Sequence, residues 1–590
     1  LYTLRRGHPR ILANAADFDR VRALSEQDPT AARWREAVRR EADALVGQPP
    51  TVYAKIGPRL QFFDYKKRVV ALGMAWRLEG DPRYARQAQR ELLAAARYPD
   101  WNPSHYLDTA EMTAATATGY SWVFEGLARD ARRTVRRAIV GKGLRTSLCQ
   151  YARGLGPVHS TSNWGIVTNA GLAIGALAVA DTHPRLAATV LDGATTSIRP
   201  ALAGYGRDGA YAEGPGYWRY ATEHAVKLVA TLDAALGRDF ELASTRGFAR
   251  TGAYALHNVG PTGQVANFAD TRPRLRSTAH LYWLARRFGR PVDAWLARRQ
   301  AGRDGSPLHL LWYSPAAVDP DSAGVARARV FARPQTAHLR GQWRTSASFV
   351  ALKGGTNAVP HAQPELGSFV LDAAGRRWGV DLGLDDYNLP GYWDWSTRSR
   401  YYRLSTAGQN TLVIDGDEQP RDAYAPVTHL GRERGRSEAV VDLSEAYPVA
   451  ASARRGVALL DDRDVLVQDE VVTGRPTWVY WTMHTRARIT ISDDGKRAVL
   501  RRDGRRLVAR ILAPSDATAQ FIVASAARRA PEATNAGVSR LMVRTYTTAR
   551  DARRASRLRL TVLLSPDALP ETLPAVASLA AWAKPPDAGR

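Results

Sequence analysis

The sequence predicts an α+β multidomain protein, with a helical N-terminal domain followed by an antiparallel β-sheet domain. Alanine-, leucine- and arginine-rich segments of the first half carry apolar residues at three- and four-residue spacing, which is typical of helices. Later segments alternate apolar and polar residues, which is typical of strands. A chain of 590 residues is also longer than one that forms a single hydrophobic core. Helical periodicity ends near Pro315 to Gly324, so we predict domains at 1–320 and 321–590.

The predicted helices are joined by short connections marked by Gly, Pro and Asp-Pro. Several begin at roughly 20-residue intervals, which favours antiparallel helix pairs stacked in a ring or partial ring. The predicted helices are 17–46, 66–77, 82–97, 107–124, 129–151, 163–180, 184–203, 217–236 and 277–299.

The predicted strands are bounded by turn residues. A hairpin is expected across Ala373-Ala374-Gly375, and another across Asp461-Asp462-Arg463-Asp464. Further turns at Asp493-Asp494-Gly495 and Arg502-Asp503-Gly504 favour stacked antiparallel sheets. The predicted strands include 346–353, 367–372, 376–381, 410–415, 456–460 and 465–469.

Composition excludes several classes of protein. No apolar run is long enough for a transmembrane helix. The single cysteine, Cys149, excludes an internal disulfide and a cysteine-based metal cluster, and we expect it to be a buried small residue. The chain begins at Leu1 without a Met or a signal-like apolar core, as expected if a signal peptide has been removed.

The net charge of +26 comes almost wholly from arginine, whose planar guanidinium suits carboxylates and sulfates. Codon bias is the alternative explanation for the arginine content. With 16 Trp and 23 Tyr, a basic chain fits an anionic polymer. Nucleic acid is not expected, because no helix-turn-helix, zinc-finger or RNP-like motif occurs and the basic residues are scattered. No sequence feature specifies an oligomeric state.

Three segments carry polar groups suited to proton transfer: Asn163-Trp164, Asp208 to Tyr220, and His361 to Phe369. The last reads as a loop feeding a strand, and its imidazole suits acid–base chemistry near neutral pH. A nucleophilic hydrolase is not supported, since no Gly-x-Ser-x-Gly elbow is present.

These segments, in this order, resemble those of the heparinase II/III-like polysaccharide lyases. The resemblance continues through Asn267 to Asp270, Trp378 to Gly383, Arg400 to Arg403 and Gln409 to Val413. It implies an incomplete (α/α) toroid, a C-terminal antiparallel β-sandwich, and a uronic-acid polymer as substrate. It also implies β-elimination, in which a base removes the C5 proton of a uronate and an acid protonates the leaving oxygen.

The resemblance assigns catalytic roles to Asn163, Tyr217 and His361. Asn163 matches the amide that neutralises the substrate carboxylate, although it could instead be a helix N-cap. Tyr217 matches the acid and is also a candidate for the base, with Tyr220 as the alternative one turn later. His361 is the partner base or a group that orients and neutralises the substrate.

Further residues are predicted to bind substrate or support the site. Glu213 is expected to order its loop, and Arg219 to favour the Tyr217 phenolate. Trp164 could stack on a sugar or pack in the core. The remaining predicted substrate-binding residues are His105, His159, Tyr220, Gln363, Arg400, Tyr401 and Gln409.

The chain departs from the family at a zinc site. Many relatives use a His, an Asp and a second His, where this chain has Gln363, Asp381 and Gln409. Glutamine is a poor zinc ligand. We therefore expect no cofactor, and a hydrogen-bonded cluster of these three residues could replace the metal.

Two other functions compete with a secreted or periplasmic lyase acting on an anionic polysaccharide or oligosaccharide. A glycoside hydrolase on a helical toroid would need two carboxylates, about 5–10 Å apart, from Asp108, Glu111, Asp208 or Glu213. A non-catalytic acidic-polysaccharide-binding protein is favoured by the two Gln replacements.

Overall fold

A computed structural model describes residues 1–275, 277–516, 518–548 and 555–582. The chain divides into two compact units. The first comprises Leu1–Tyr205, Trp218–Gly252 and Arg276–Val318, and the second Gly206–Tyr217, Ala253–Leu275 and Asp319–Arg590. Gly206–Tyr217 and Ala253–Leu275 therefore group with the strands that follow, although both precede the predicted boundary at residue 320.

The first half of the chain is helical, and its helices match the predicted ones closely. The helices are α1 (Ala15–Gln27), α2 (Pro29–Leu45), α3 (Phe63–Glu79), α4 (Pro82–Arg97), α5 (Tyr106–Trp122), α6 (Arg129–Ala138), α7 (Arg145–Arg153), α8 (Asn163–Val179), α9 (Pro184–Leu202), α10 (Gly214–Leu236), α11 (Thr251–Asn258), α12 (Ala279–Phe288), α13 (Pro291–Gln300) and α14 (Pro307–Trp312). A two-stranded ribbon, β1 (Lys55–Ile56) and β2 (Arg59–Leu60), precedes α3.

Two predicted helices are broken by proline. Asp28 ends α1 and caps α2, accepting hydrogen bonds from Thr30 and Ala31, while Pro29 opens α2. Gly289, with φ +62°, ends α12, and Pro291 opens α13. The predicted helix 129–151 holds a π-helical turn at Ile139–Leu144, which period counting does not reveal.

The centre of the first unit is formed by α5 and α8, which pack against each other. Every residue of α5 is buried, as is all of α8 except the half-buried Trp164. A Cβ at Gly171 would lie 2.3 Å from the carbonyl oxygen of Ala110, so glycine permits this close approach. The tight packing fixes Asn163 at the start of α8.

The second unit is built from antiparallel strands. They are β3 (Ala328–Ala332), β4 (Gln335–Arg340), β5 (Phe349–Lys353), β6 (Gly355–Thr356), β7 (Phe369–Ala373), β8 (Arg376–Gly379), β9 (Leu412–Ile414), β10 (Tyr424–Ala425), β11 (Val427–Glu433), β12 (Arg436–Asp442), β13 (Ala450–Leu460), β14 (Asp464–Thr473), β15 (Trp478–Thr485), β16 (Arg488–Ile491), β17 (Arg497–Arg502), β18 (Arg505–Ala513), β19 (Gln520–Ser525), β20 (Ser539–Tyr546) and β21 (Ser556–Pro566). Short helices α15 (Trp395–Arg398) and α16 (Leu579–Trp582) complete it.

Three sheets share one core. An eight-stranded sheet has the order β11-β12-β13-β14-β21-β18-β17-β16, and β3-β4-β5-β7-β8 and β19-β20-β15-β9 form the others. Apolar side chains from all three meet in one cluster that includes Leu339, Leu412 and Val467. The predicted hairpins, β7–β8 and β13–β14, are both present.

The segment 253–275 is held against the β7–β8 hairpin. Arg377 is paired with Asp372 and donates to the carbonyl of Val265 at 2.9 Å, while Thr262 Oγ1 donates to Asp372 at 2.8 Å. These buried contacts fix the segment that carries Asp270.

The expectation that Cys149 is buried is wrong. It is exposed on α7, a short helix in which Ser147 is the buried residue. Within the described residues, none of the helices has both the length and the apolar character needed to cross a membrane.

Candidate active site

The rings of Tyr217 and His361 stack in the second unit. Their centroids are 3.6 Å apart and their planes differ by 12°. Tyr217 lies in the first turn of α10, and His361 in the loop between β6 and β7. Both rings are only partly buried. Two of the three predicted catalytic groups are thus brought together.

The start of α10 is fixed by segment 268–271. Gly214 has φ +83°, and a Cβ there would lie 3.2 Å from both the Ala269 Cβ and the Phe268 carbonyl oxygen. The Gly216 amide donates to Thr271 Oγ1 at 3.1 Å. This close contact sets the direction in which Tyr217 leaves the helix.

His361 is held by Asp270 at both its backbone and its ring. Its carbonyl accepts from the Asp270 amide at 3.1 Å, and Nδ1 lies 3.3 Å from Asp270 Oδ2. His361 has φ +65°, a left-handed conformation that is costly for a residue other than glycine. When Nδ1 donates to Asp270, Nε2 is the acceptor nitrogen, and it lies 3.7 Å from Glu213 Oε2.

Aromatic residues of 387–393 surround the stacked pair. The hydroxyl oxygens of Tyr387 and Tyr217 are 2.9 Å apart. The Trp393 ring meets the His361 ring edge-on at 5.4 Å and the Tyr387 ring at 4.8 Å. Trp393 is 56% exposed, unusually high for so large an apolar side chain.

Two tyrosines of this group are held in the protonated state. Burial, then the nearby Asp270 carboxylate, raises the pKa of Tyr387 far above its ordinary value. The same two causes raise the pKa of Tyr392, which donates to Asp270 Oδ1 at 2.9 Å. Both phenols therefore keep a proton that they can donate.

Gln363 and Gln409 form a chain of amide hydrogen bonds that ends on Asp270. Gln409 Nε2 donates to the Arg403 carbonyl at 2.8 Å and to Gln363 Oε1 at 3.0 Å. Gln363 Nε2 donates to Asp270 Oδ1 at 3.0 Å. Both glutamines are buried. Only one orientation of Gln363 places an N–H rather than an oxygen against the carboxylate, so the chain has a fixed direction.

These residues do not fit zinc. Gln363 uses its oxygen on Gln409 and its nitrogen on Asp270, and Asp381 accepts from Gly383 and Asn267 instead of joining them. Burial raises the pKa of Asp381. No group of three or more His, Cys, Asp or Glu suited to a metal occurs among the described residues. The expected three-residue cluster thus reduces to Gln363 with Gln409.

Asn163 lies in the first unit, as the first residue of α8, and is 1% exposed. The N-cap of this helix is Ser162, whose hydroxyl accepts from the Trp164 amide, so the capping alternative for Asn163 is wrong. The Trp164 ring lies 5.0 Å from the His105 ring. His159 lies in a short turn before α8, edge-on to Tyr151 at 6.3 Å.

Tyr220 and Arg219 also lie in the first unit, each bound to a carboxylate. Tyr220 donates to Glu111 at 3.1 Å, and burial followed by the Glu111 charge raises its pKa well above normal. Arg219 pairs with Glu223 at 3.0 Å. Tyr220 is therefore the weaker candidate for a group that must lose its proton.

The carboxylates offered for a glycoside hydrolase are already engaged. Glu111 is buried, yet Lys66 and His224 hold its pKa well below normal. Hydrogen bonds from His105, Asn102 and Leu60 likewise overcome burial and lower the pKa of Asp108. Asp208 bonds to the backbone of Ala210 and Ala332. A general acid needs a raised pKa, so Asp108 and Glu111 are unsuited to that role.

Arg400 and Tyr401 help to hold the loop between β8 and β9 in place. Both side chains donate to the Pro390 carbonyl, Tyr401 at 2.7 Å, and the Tyr401 ring is buried. Arg400 is exposed and lies against the Tyr401 ring. Their predicted role in binding substrate stays a prediction.

Four residues at this site were not predicted to take part in it. Asp270 was named only as the end of the segment Asn267 to Asp270, and the aromatic residues Tyr387, Tyr392 and Trp393 were not assigned to the site. A loop with three large aromatic residues within seven positions was the one available signal.

Residues 340–561 match the family model of the heparinase II/III-like C-terminal domain. Heparinase III has a similar structure, with a TM-score of 0.66 and 13% identity over 90% of this chain and 85% of that one. Heparan sulfate lyase HepC from Pedobacter heparinus gives 0.60 and 15%, over 93% and 87%. Among curated protein sequences, none matches this chain.

These similarities confirm the predicted fold, a helical toroid followed by an antiparallel β-sandwich. Residues 340–561 are thus similar to the heparinase II/III-like C-terminal domain, within a chain that has the fold of heparinase III.

Proposed function

We propose that this protein is a polysaccharide lyase that cleaves a uronic-acid-containing anionic polysaccharide by β-elimination. The observation that carries the proposal is the stacked pair of Tyr217 and His361, with Asp270 on the imidazole Nδ1. A phenol and an oriented imidazole at one place are the groups that a proton abstraction and a proton donation require. The match of residues 340–561 to the heparinase II/III-like C-terminal domain and the fold of heparinase III support the same reaction class.

In this reaction, a base takes the C5 proton of the uronate. The electrons of the C5–H bond form the C4–C5 double bond, the bond from C4 to its oxygen breaks, and that oxygen takes a proton from the acid. Tyr217 and His361 share these two roles. Asn163 neutralises the substrate carboxylate in the proposal, since its amide donates without acting as a base. Its support is that Ser162, not Asn163, caps α8.

Trp393 supplies a binding surface for a sugar ring beside the pair. Its ring is exposed and is fixed by contacts with His361, Tyr387 and Tyr392. A rigid aromatic face loses little conformational entropy on contacting the C–H face of a sugar. The net charge of +26 attracts the anionic polymer. The predicted contacts of His105, His159, Trp164, Arg219, Tyr220 and Arg400 belong to this proposal.

The proposed reaction needs no zinc, because the amide chain through Gln363 orients Asp270 and so His361. A polymer does not cross a membrane, so we place the activity outside the cytoplasm, secreted or periplasmic. Fractionation of the producing cells tests that location.

A panel of acidic polysaccharides followed by ultraviolet absorbance tests the reaction. The product of a lyase absorbs because the new double bond is conjugated with the carboxylate. Tyr217→Phe and His361→Ala should each reduce the rate by about 10²–10⁴-fold. Tyr424→Phe removes an exposed phenol on β10 and should have no effect.

Full activity of Tyr217→Phe would overturn the acid–base assignment. New reducing ends without absorbance would show a hydrolase. Tight binding without turnover across the panel would show a binding protein.

A further inference from the structure

A second phenol contacts the proposed catalytic phenol directly. The Tyr387 hydroxyl lies 2.9 Å from the Tyr217 hydroxyl, a normal distance for an O–H···O hydrogen bond. The two residues are 170 positions apart, and both belong to the second unit. Nothing in the proposed elimination assigns a task to Tyr387.

The groups around Tyr387 raise the pKa of its phenol. Burial, the Asp270 carboxylate and Tyr217 itself all raise the pKa of Tyr387, in that order. Tyr392 adds to this effect from the far side. Tyr387 therefore keeps its proton, and it can donate when the Tyr217 oxygen carries negative charge.

The Tyr387 ring is also fixed in place. Tyr392 meets it edge-on with centroids 4.9 Å apart, and Trp393 lies at 4.8 Å. The His361 ring, at 6.2 Å, is nearly parallel to it. A donor held on three sides loses little freedom in forming the hydrogen bond.

We propose that Tyr387 is a positioning residue that donates to the Tyr217 hydroxyl oxygen and favours its deprotonated form. This inference rests on the proposed function, because it gives the phenolate a use. The inference applies whether Tyr217 is the base or the acid. As the base, Tyr217 must be a phenolate before it takes the proton; as the acid, it becomes a phenolate after it gives up its proton.

The expected shift in the ionisation of Tyr217 is that of one hydrogen bond to a charged acceptor. Such a bond moves the ionisation of Tyr217 by about one to two pH units. The titratable groups around the two phenols include Asp270, His361, Glu213 and Tyr392. All of them remain when Tyr387 becomes Phe, so the variant isolates the donated hydrogen bond.

The first experiment compares pH profiles of kcat/KM for the wild type and Tyr387→Phe. The limb that reports Tyr217 should move to higher pH by about one to two units, whichever role Tyr217 has. Phe keeps the ring contacts with Tyr392 and Trp393, so the fold should be retained. Tyr424→Phe is the matched control and should leave the profile unchanged. An unmoved limb overturns the inference.

A second measurement does not depend on turnover. A 3-fluorotyrosine placed at position 217 reports its own ionisation by ¹⁹F NMR. In Tyr387→Phe this titration should move to higher pH, and it should not move in Tyr424→Phe. An unchanged titration overturns the role of Tyr387. A shifted titration in a protein that cleaves no acidic polysaccharide supports that role and refutes the proposed reaction instead.

A variant that should shift the Tyr217 limb in the opposite direction distinguishes the hydrogen bond from a structural effect. A 3,5-difluorotyrosine at position 387 keeps the ring and is a stronger donor than tyrosine. It should move the Tyr217 limb to lower pH. A shift of the Tyr217 limb in the same direction in both variants would indicate a distorted site and contradict the proposed hydrogen bond.

Discussion

His361 combines a costly backbone conformation with two contacts to a single residue. Its φ of +65° persists because the amide and the carboxylate of Asp270 both bind it. Asp270 in turn accepts from Gln363 and Tyr392. The position of the imidazole therefore depends on a residue 91 positions earlier in the chain.

Asp270→Asn should reduce kcat by about 10²-fold or more while changing KM little, because the amide cannot fix the Nδ1–H form of His361 as firmly. Steady-state kinetics separate the effect on kcat from the effect on KM, and ¹⁵N NMR of His361 reports its tautomer. An unchanged kcat would show that Asp270 only supports the loop.

At this scale the sequence predicted residues better than partners. His361 and Tyr217 were identified because their motifs resemble those of a known family. The contact with Asp270 was not, because no sequence period links the loop between α11 and α12 with the loop before β7. The contact of Tyr387 with Tyr217 was likewise not predicted, because 170 residues separate the two in the chain.

The loop between β8 and β9 is the element that completes the site. It carries Tyr387, Tyr392 and Trp393, and Arg403 and the carbonyl of Pro390 help to hold it in place. Trp393→Ala should raise KM by about three- to tenfold and leave kcat nearly unchanged, because it removes one stacking contact of about 1 kcal/mol.

Kinetics with a cleaved polysaccharide provide the measurement. Trp478→Ala is the matched control, since Trp478 is also exposed, on β15, and touches Tyr546 instead of the site. Equal effects of the two substitutions would argue against a sugar-binding role for Trp393.

The Gln363–Gln409 pair joins this loop to the loop of His361. If it replaces a metal, the purified protein should contain no stoichiometric zinc, and a chelator should leave its activity unchanged. Gln363→His combined with Gln409→His, beside Asp381, should create a zinc site with imidazole ligands. Metal analysis of both proteins tests this, and stoichiometric zinc in the wild type would refute it.

Across the whole molecule, the change from helical to alternating period predicted the order of the two fold types well. Proline positions explain where predicted helices proved to be two, at Pro29 and Pro291. The grouping of Gly206–Tyr217 and Ala253–Leu275 with the strands could not be predicted, because it depends on buried contacts such as that of Arg377 with Val265.

The excess of positive charge gives a prediction at the same scale. For an anionic polymer, kcat/KM should fall at least about tenfold as ionic strength rises from ~0.01 to ~0.5 M, because screening weakens attraction at a distance. A short uncharged substrate analogue serves as the control for general salt effects. A salt-independent rate would favour codon bias as the origin of the arginine content.

The amide chain that ends on Asp270 has a consequence for where such a protein could work. Side-chain amides cannot leave the site as a bound ion can, so the orientation of Asp270 would persist in solutions from which a chelator has removed free metal ions.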